Sequence, residues 1–465
     1  MTVSKKHKWL MAVPGALILS ATVAHAEPVD LKTAVQAAVD SHPEISQAIQ
    51  NKEAIEFERD QAQGLFLPRI SVEGSAGVRR LENRTRRALN LEDESLYPLE
   101  ASVFGEQLLF DSGSRSAELK RQAARTDGAA LRVEERSEFI ALNVTRQYLD
   151  YMLQQRIVAA AEDNVTFHQL LTNDLSEGVK SGSISIADQQ QAEERLQAAK
   201  IRRTEAQEDL NNAAISFMTL TGISISEVAV PESPRAALPP TVADAVAAAR
   251  DRNPKVREAQ ADVDAAYQVV NKAEAELGPR VSLEGRGRVG EDLDGFRGTT
   301  NDLQARVVLT WDLYNGGINR AKVQEMTRRA SEARFRLHQL TREAEEEVRQ
   351  AWNRWQIEGV RLTDLEQQSK VSDDLLLSYR EQFNVGRRSL LDVLDSQNTR
   401  FNAQVRTETS RLAQLFAEYQ ILAATDNLMA TLGVTPPTGV KTYARERFDV
   451  PDTEPAELHR RRYPR

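Results

Sequence analysis

The chain has 465 residues, 60 basic against 69 acidic side chains, a formal charge of −9, few aromatics and no cysteine. That balance argues against a nucleic-acid partner, which asks for a basic face, and the missing thiols exclude disulfides and thiolate-held metals. A mean hydropathy of −0.49 leaves no room for a bundle of membrane-spanning helices.

The first 26 residues read as an export leader. Lys5, Lys6, His7 and Lys8 form a positive start, residues 9–23 an apolar stretch, and Ala24-His25-Ala26 a small-residue cleavage site before Glu27. A short membrane anchor is the competing reading, but small residues followed by an acid fit cleavage better. Without cysteine no lipid can be attached there.

Asp30 then caps a short predicted helix to Val39, and Pro43 opens a second that runs to about Leu67, proline being suited to a first helical turn. Pro68 stops it. Over about 69–78 the pattern has period two, with Ile70, Val72, Gly74, Ala76 and Val78 alternating with Ser71, Glu73, Ser75 and Gly77. A charge-rich loop leads to a second alternating strand over about 99–110, where Leu99, Ala101, Val103, Gly105 and Leu109 share a face with Gln107. From Ser114 apolar residues recur at three and four, as in Phe139, Leu142, Leu149 and Leu153, predicting a rod to about Gly178. Such a rod is roughly 95 Å long at ~1.5 Å per residue, longer than any globular core needs. It turns at 181–185 and returns to about Leu220, so the first long hairpin spans 114–221.

A proline-rich linker, 231–240, separates a first repeat, 27–230, from a second, 241–435. RNPKV from Arg252 matches SHPEI from Ser41, and LGPRVSLEG from Leu277 matches FLPRISVEG from Phe66, an offset of about 211 residues that marks duplication. The second strand pair is expected over about 280–290 and 302–314, the latter including Trp311 and Leu313, and the second long hairpin over 319–433. Its tip is FNVGRRSLLDVLDSQN at 383–398. Gly386 supplies backbone freedom at the corner, Ser389 is placed as an N-cap with Asp392 at capping-box spacing, and Asp395 lies one turn on along the same face. SGSISIADQQQ at 181–191 is a fainter copy, with Gly182, Ser185 and Asp188 in register with Gly386, Ser389 and Asp392. The polar tail over 436–465, rich in proline and charge, is expected to be loosely attached.

Strands apolar on one face only are the mark of an outer-membrane barrel; a soluble sheet packed on one side is the competing reading. Four strands cannot close, because single-chain barrels start at about eight, so several subunits must share one barrel and their helices one sheath. The short helices of each repeat, stacked end to end, match a long rod in length. The expected class is an α+β membrane protein built as a tube.

Taken together, the duplication, the LPRISVEG and GPRVSLEG strand entries, the FDSG and YNGG strand exits and VGRRSLLDVLDSQNTRFNAQ resemble the TolC-like outer membrane efflux proteins, over almost all of the mature chain. The resemblance implies a homotrimer with a long antiparallel α-helical barrel, a coiled-coil tunnel in the periplasm, and four transmembrane strands per subunit in a shared 12-stranded β-barrel. It implies a periplasmic end closed by inward-coiled helices. The pore constriction would carry Asp392 and Asp395, with Arg388 tied to Asp188; Phe383 stands where the family has a gate Tyr, and Ala187 where it has Thr. Six carboxylates in a trimeric opening would favour cations, and crowding would make them easier to protonate. The competing reading of Asp188 and Asp392 is helix capping alone, which leaves Asp395 unexplained.

The implied partners are outer membrane lipid, a periplasmic adaptor (membrane fusion protein) contacting the tips at Gly182, Ser183, Gly386, Arg387 and Ser389, and through it an inner-membrane ABC or RND transporter. No cofactor is implied. The expected role is the exit duct of a tripartite export system; the GRRSLLDVLDSQN tip looks more like members serving type I protein secretion than drug-efflux ducts. A multidrug or small-molecule efflux duct is the alternative, and a soluble periplasmic coiled-coil scaffold the alternative of another class. Nothing points to an enzyme: GRGRVG at 285–290 is not followed by a helix, His42, His168 and His338 read as solitary surface residues, and the acids at 343–347 as a solvated face.

Overall fold

The computed structural model describes residues 28–451; the expected leader and residues 452–465 of the tail lie outside the described residues. Each repeat begins with a short helix and a longer one. In the first these are α1 (Leu31–Ser41) and α2 (Pro43–Gly64). Asp30 caps α1 by accepting the Thr33 N–H at 3.0 Å, and His42, expected as a surface residue, caps α2 by accepting the Glu44 N–H on Nδ1 at 3.3 Å. Strand β1 (Arg69–Ala76), a short helix α3 (Arg84–Ala88) and β2 (Leu99–Phe110) follow. Then come the rod α4 (Ser114–Lys180) and its return α5 (Ile186–Thr221).

The second repeat has the same order: α6 (Val242–Arg252), α7 (Pro254–Ala275), β3 (Arg280–Glu291), β4 (Thr299–Thr310), α8 (Ile318–Asn384) and α9 (Leu390–Ala424). Both rods have 67 residues, about 100 Å at ~1.5 Å each. Small helices α10 (Leu428–Leu432) and α11 (Ala444–Arg447) end the described chain. Among the described residues no helix is long and apolar enough to cross a membrane.

The strands form one antiparallel sheet in the order β1-β2-β3-β4, so β2 and β3 join the repeats. The register sets Val72 opposite Val103, Ala101 opposite Val289 and Leu283 opposite Val307, which gathers the apolar residues on one face. That face is bare: Val72 is 76% exposed and Leu303 89%. The other face carries cross-strand ion pairs, Arg306 to Glu284 at 2.7 Å, Arg286 to Glu100 at 3.0 Å, Arg288 to Asp302 at 3.1 Å and Arg280 to Glu106 at 3.4 Å. The outer edges of β1 and β4 have no strand partner among the described residues.

β4 ends at Thr310, four residues short of the expected limit. Its last partner is Arg280, and Pro279 before that has no N–H to continue the ladder. Trp311 leaves the sheet and donates its indole N–H to the Leu277 carbonyl at 3.1 Å.

Where α1, α4, α5, α9 and α10 meet, Val35, Val144, Tyr148, Phe217, Tyr419 and Leu422 form the largest apolar core. The Tyr148 hydroxyl reaches the carbonyls of Val29 at 2.7 Å and Ala229 at 2.6 Å, tying the start of the chain to the end of the first repeat.

The described part of the tail is not loose. Asp127, buried in α4, accepts the N–H groups of Tyr443, Ala444 and Arg445 at 2.9, 2.8 and 3.0 Å. The Arg445 guanidinium spans from Asp127 at 3.2 Å to Asp264 of α7 at 3.0 Å. Arg59 of α2 donates to the Tyr443 hydroxyl, which donates to Glu56, each at 2.6 Å. The acids buried in the rods need donors, and the arm supplies them. Asp127→Ala leaves three N–H groups without their acceptor and weakens the arm by about 3 kcal/mol. Limited trypsin digestion should then cleave at Arg445 and Arg447 well before the rods; an unchanged cleavage rate would contradict this account.

Candidate functional site

The two hairpin tips are closed by the same local bonds. In the first, Gly182 sits at φ +74, and the N–H groups of Ser183 and Ile184 donate back to the Gly178 carbonyl at 2.9 and 3.3 Å. Ser185 caps α5, its hydroxyl accepting the Asp188 N–H at 3.1 Å and donating to the Asp188 carboxylate at 2.7 Å. In the second, Gly386 sits at φ +76, a conformation that glycine alone adopts freely, and the Arg387 N–H donates to the Gln382 carbonyl at 2.8 Å. The Ser389 hydroxyl accepts the Asp392 N–H at 3.2 Å, while the Asp392 carboxylate accepts the Ser389 N–H at 3.3 Å and its hydroxyl at 2.8 Å. This is a complete capping box.

Asp392 therefore completes a helix cap by accepting the Ser389 N–H, whereas Asp188 accepts only the hydroxyl of the capping Ser185. The Ser389 hydroxyl and N–H hold the Asp392 carboxyl below its ordinary value, with Arg388 contributing. Within one chain this is opposite in sign to the crowding effect expected for a ring of six. A depressed carboxyl contributes stability above its unfolded value and loses it as the pH falls through the folded value. Asp395 is exposed, and its carboxylate has no hydrogen-bond or ion-pair partner among the described residues. Leu390 and Leu394, on the opposite side of α9, pack on Leu171 and Leu175 of α4 and Ala192 of α5. That packing leaves Asp392 and Asp395 on the uncovered face.

Arg388 and Asp188 are not brought together within the chain. The Arg388 guanidinium lies 4.4 Å from the centroid of the Tyr379 ring, donates to Gln382 Oε1 at 3.1 Å, and stands 3.8 Å from Asp392. Phe383 packs against the cluster of Leu171, Leu175, Ala192, Leu390 and Leu394, as Phe167 and Ile184 do from the first hairpin, so one apolar patch joins the tips. Nearest the tips, the charged tie between the hairpins is Arg380 to Asp174 at 3.8 Å, with the Arg380 guanidinium over the Phe167 ring, and further up Arg156 pairs with Glu408. Sequence reasoning missed Tyr379, Gln382 and Arg380. Tyr379 and Gln382 lie one turn apart on α8 just ahead of an arginine corner, which is the signal that could have found them.

Above the tips, His168 is buried and not a surface residue as expected. Burial, then Arg195 and Arg202, push its imidazole down to about 4, so it is neutral near pH 7. In the same region Gln397 of α9 donates to Asn164 of α4 at 2.9 Å. Exposed apolar side chains flank both corners, Ile186 on the first and Val385 and Leu391 on the second, beside Ser183 and Arg387. Among the described residues no cluster of His, Asp and Glu could hold a metal ion.

A family model described as outer membrane efflux protein matches residues 34–223 and again 245–434. The chain is 24% identical to outer membrane efflux protein BepC of Brucella suis biovar 1 over 61% of its own length and 62% of BepC. It is 22% identical to outer membrane protein TolC of Escherichia coli strain K12 over 90% of this chain and 87% of TolC. Alkaline protease secretion protein AprF of Pseudomonas aeruginosa is 24% identical over 85% of this chain and 83% of AprF. Among solved structures, the outer-membrane channel OprN has the same fold, with a TM-score of 0.75 at 18% identity over 85% of this chain and 90% of that one.

Ser389→Ala removes the hydroxyl from the second cap and should destabilise the start of α9 by about 1 kcal/mol. Ser185→Ala should act alike on α5. Hydrogen exchange reads both as faster exchange confined to the first turn after each corner; equal exchange in variant and wild type would mean that packing alone closes the tips.

Proposed function

The chain belongs to the outer membrane efflux protein family, and from this premise we propose that it is the outer-membrane exit duct of a tripartite export system. The observation that carries the reading is the placement of two opposite surfaces at the ends of ~100 Å rods. At one end stands a sheet with a bare apolar face, a charged face and two open edges. At the other stand paired glycine corners with exposed acids.

In the proposed assembly three copies close a 12-stranded barrel by joining β4 of one to β1 of the next. The apolar face meets outer membrane lipid and the ion-paired face lines the lumen. The rods form a periplasmic tunnel that narrows at Asp392 and Asp395. A helical hairpin of a periplasmic adaptor would dock on the apolar side chains at the corners, Ile186, Val385 and Leu391, with Gly182, Ser183, Gly386, Arg387 and Ser389 beside them. The adaptor would link the duct to an inner-membrane ABC or RND transporter. Arg388, and Asp188 of a neighbouring copy, would meet only in that assembly.

Protein secretion is the preferred cargo class, supported by the tip sequence and by likeness to a protein named for alkaline protease secretion. Likeness to an efflux protein favours small molecules as the second reading. Deleting the gene and quantifying exterior proteins by mass spectrometry separates them: loss of one or a few large proteins supports secretion, and an unchanged exterior with drug accumulation inside supports efflux.

The constriction is tested in planar bilayers. Asp392→Asn with Asp395→Asn should lower cation over anion permeability by roughly threefold or more and relieve block by multivalent cations; wild-type selectivity would remove these acids from the pore. Arg388→Ser frees the corner from Tyr379, Gln382 and Asp392 and should raise resting conductance, and wild-type conductance would leave Arg388 with no part in closure.

A further inference from the structure

Far from the tips, the break between α9 and α10 is held by acids in a place short of cations. α9 ends at Ala424, and Asp426 follows in a left-handed conformation, φ +57. Asn253, the N-cap of α7, donates to the Ala424 carbonyl at 3.0 Å. From α4, Glu138 Oε1 accepts the Met429 N–H of α10 at 3.2 Å. Glu138 is 6% exposed, and its Oε2 is buried without a partner.

The neighbouring charges do not balance it. On α4, Glu134 pairs with Arg257 of α7 at 3.1 Å, and the same guanidinium stands 3.9 Å from Asp426. Glu135 is held by Arg136, with Lys255 of α7 at 4.0 Å. Arg252 of α6 acts on Asp426 from further off. Glu347 of α8 and Lys255 line, with Glu138, a cavity of about 40 Å³. One close guanidinium thus serves Glu134 and Asp426, and none serves Glu138. An ionised carboxylate buried in that state is costly, and a proton removes the charge.

We propose that Glu138 and Asp426 form a proton-binding brace that seats the α9–α10 break on α4 and releases it as the pH rises. The Met429 N–H is taken up by Oε1 and by itself favours the charged form, so the seat of the proton is Oε2, which is buried and has no partner. Burial, then the charge of Asp426, push the Glu138 carboxyl up to about 8. Burial, then Glu134, push Asp426 up to about 7. Both folded values lie above the unfolded ones, so the folded chain binds more protons than the unfolded chain between them. The brace is complete below about pH 4, weakens as the pH rises, and is lost above about pH 8. In the alkaline state the carboxylates repel one another, and the segment carrying α10 and the C-terminal arm loosens from α4.

This brace belongs to one chain and stands apart from the transport reading. The test is thermal unfolding of the full chain in detergent from about pH 5 to about pH 9. Wild type should lose Tm across that range, and Glu138→Gln, which keeps an acceptor for Met429 but cannot ionise, should remove about half of the loss or more. Where Glu138→Gln does not fold, Asp426→Asn should flatten the same profile. Infrared spectra should show a protonated carboxyl at about pH 6 that is lost by about pH 9 and is missing in Glu138→Gln. A wild-type Tm slope in the variant that folds, or no protonated carboxyl at about pH 6, overturns the proposal.

Discussion

A sheet that is apolar on one side, charged on the other and open at both edges cannot rest in water as a single chain. Residues such as Val72, Leu303 and Val307 lie bare on one face, and their burial in protein would need a covering layer that no element among the described residues supplies. Among the described residues no helix packs across the sheet. In the proposed duct, lipid covers that face and strands of further copies meet the edges. The same constraint explains the ion pairs of the opposite face. Arg286 with Glu100 and Arg288 with Asp302 satisfy one another across strands, so the charged surface needs no outside partner.

The rods run a long way from the sheet, and their cohesion is uneven. Near the middle, the core around Tyr148, Phe217 and Tyr419 holds the beginning of the chain, both hairpins and the end of α9 together. Near the sheet, the C-terminal arm draws α2, α4 and α7 together through Asp127, Asp264 and Tyr443. At the tips the hairpins are joined by a small apolar patch around Phe383 and one exposed ion pair. Each corner is rigid in itself, closed by its own cap, while the bond between corners is slight. Local order with weak mutual attachment is the condition under which two hairpins can move as units.

What could be read from the sequence was what neighbours in sequence decide. Period two at 70–76 and 281–289, period three to four along the rods and the Ser389-Asp392 spacing each express a local rule, and each has its counterpart in the structure; α2 ends at Gly64, three residues before the expected limit at Leu67. The failures are long-range. The arm over 436–451 looked loose because its composition is polar, yet its partners sit some 300 residues earlier in α4. His168 reads as exposed because nothing near it in sequence shows that the fold buries it and brings Arg195 and Arg202 of α5 close. β4 stopped early because of a proline on the paired strand, not on its own. At the site, the caps were legible; the seat of Arg388 on Tyr379 was not, since its expected partner came from a resemblance and its actual one from the fold of the corner.

The joint between the repeats has a meaning of its own. β2 meets β3 as the second strand of one unit meets the first strand of the next, and β4 is left in the position of β2. A contact of this head-to-tail kind repeats until a ring closes, so a half-length ancestor could have built the proposed ring from six equal parts. Joining two such parts in one gene released them from equality. One corner could keep a plain serine turn, SGSIS, while the other took on paired arginines and two acids, VGRRSLLDVLD. In the proposed ring, duplication thus lets a sixfold wall acquire a threefold mouth.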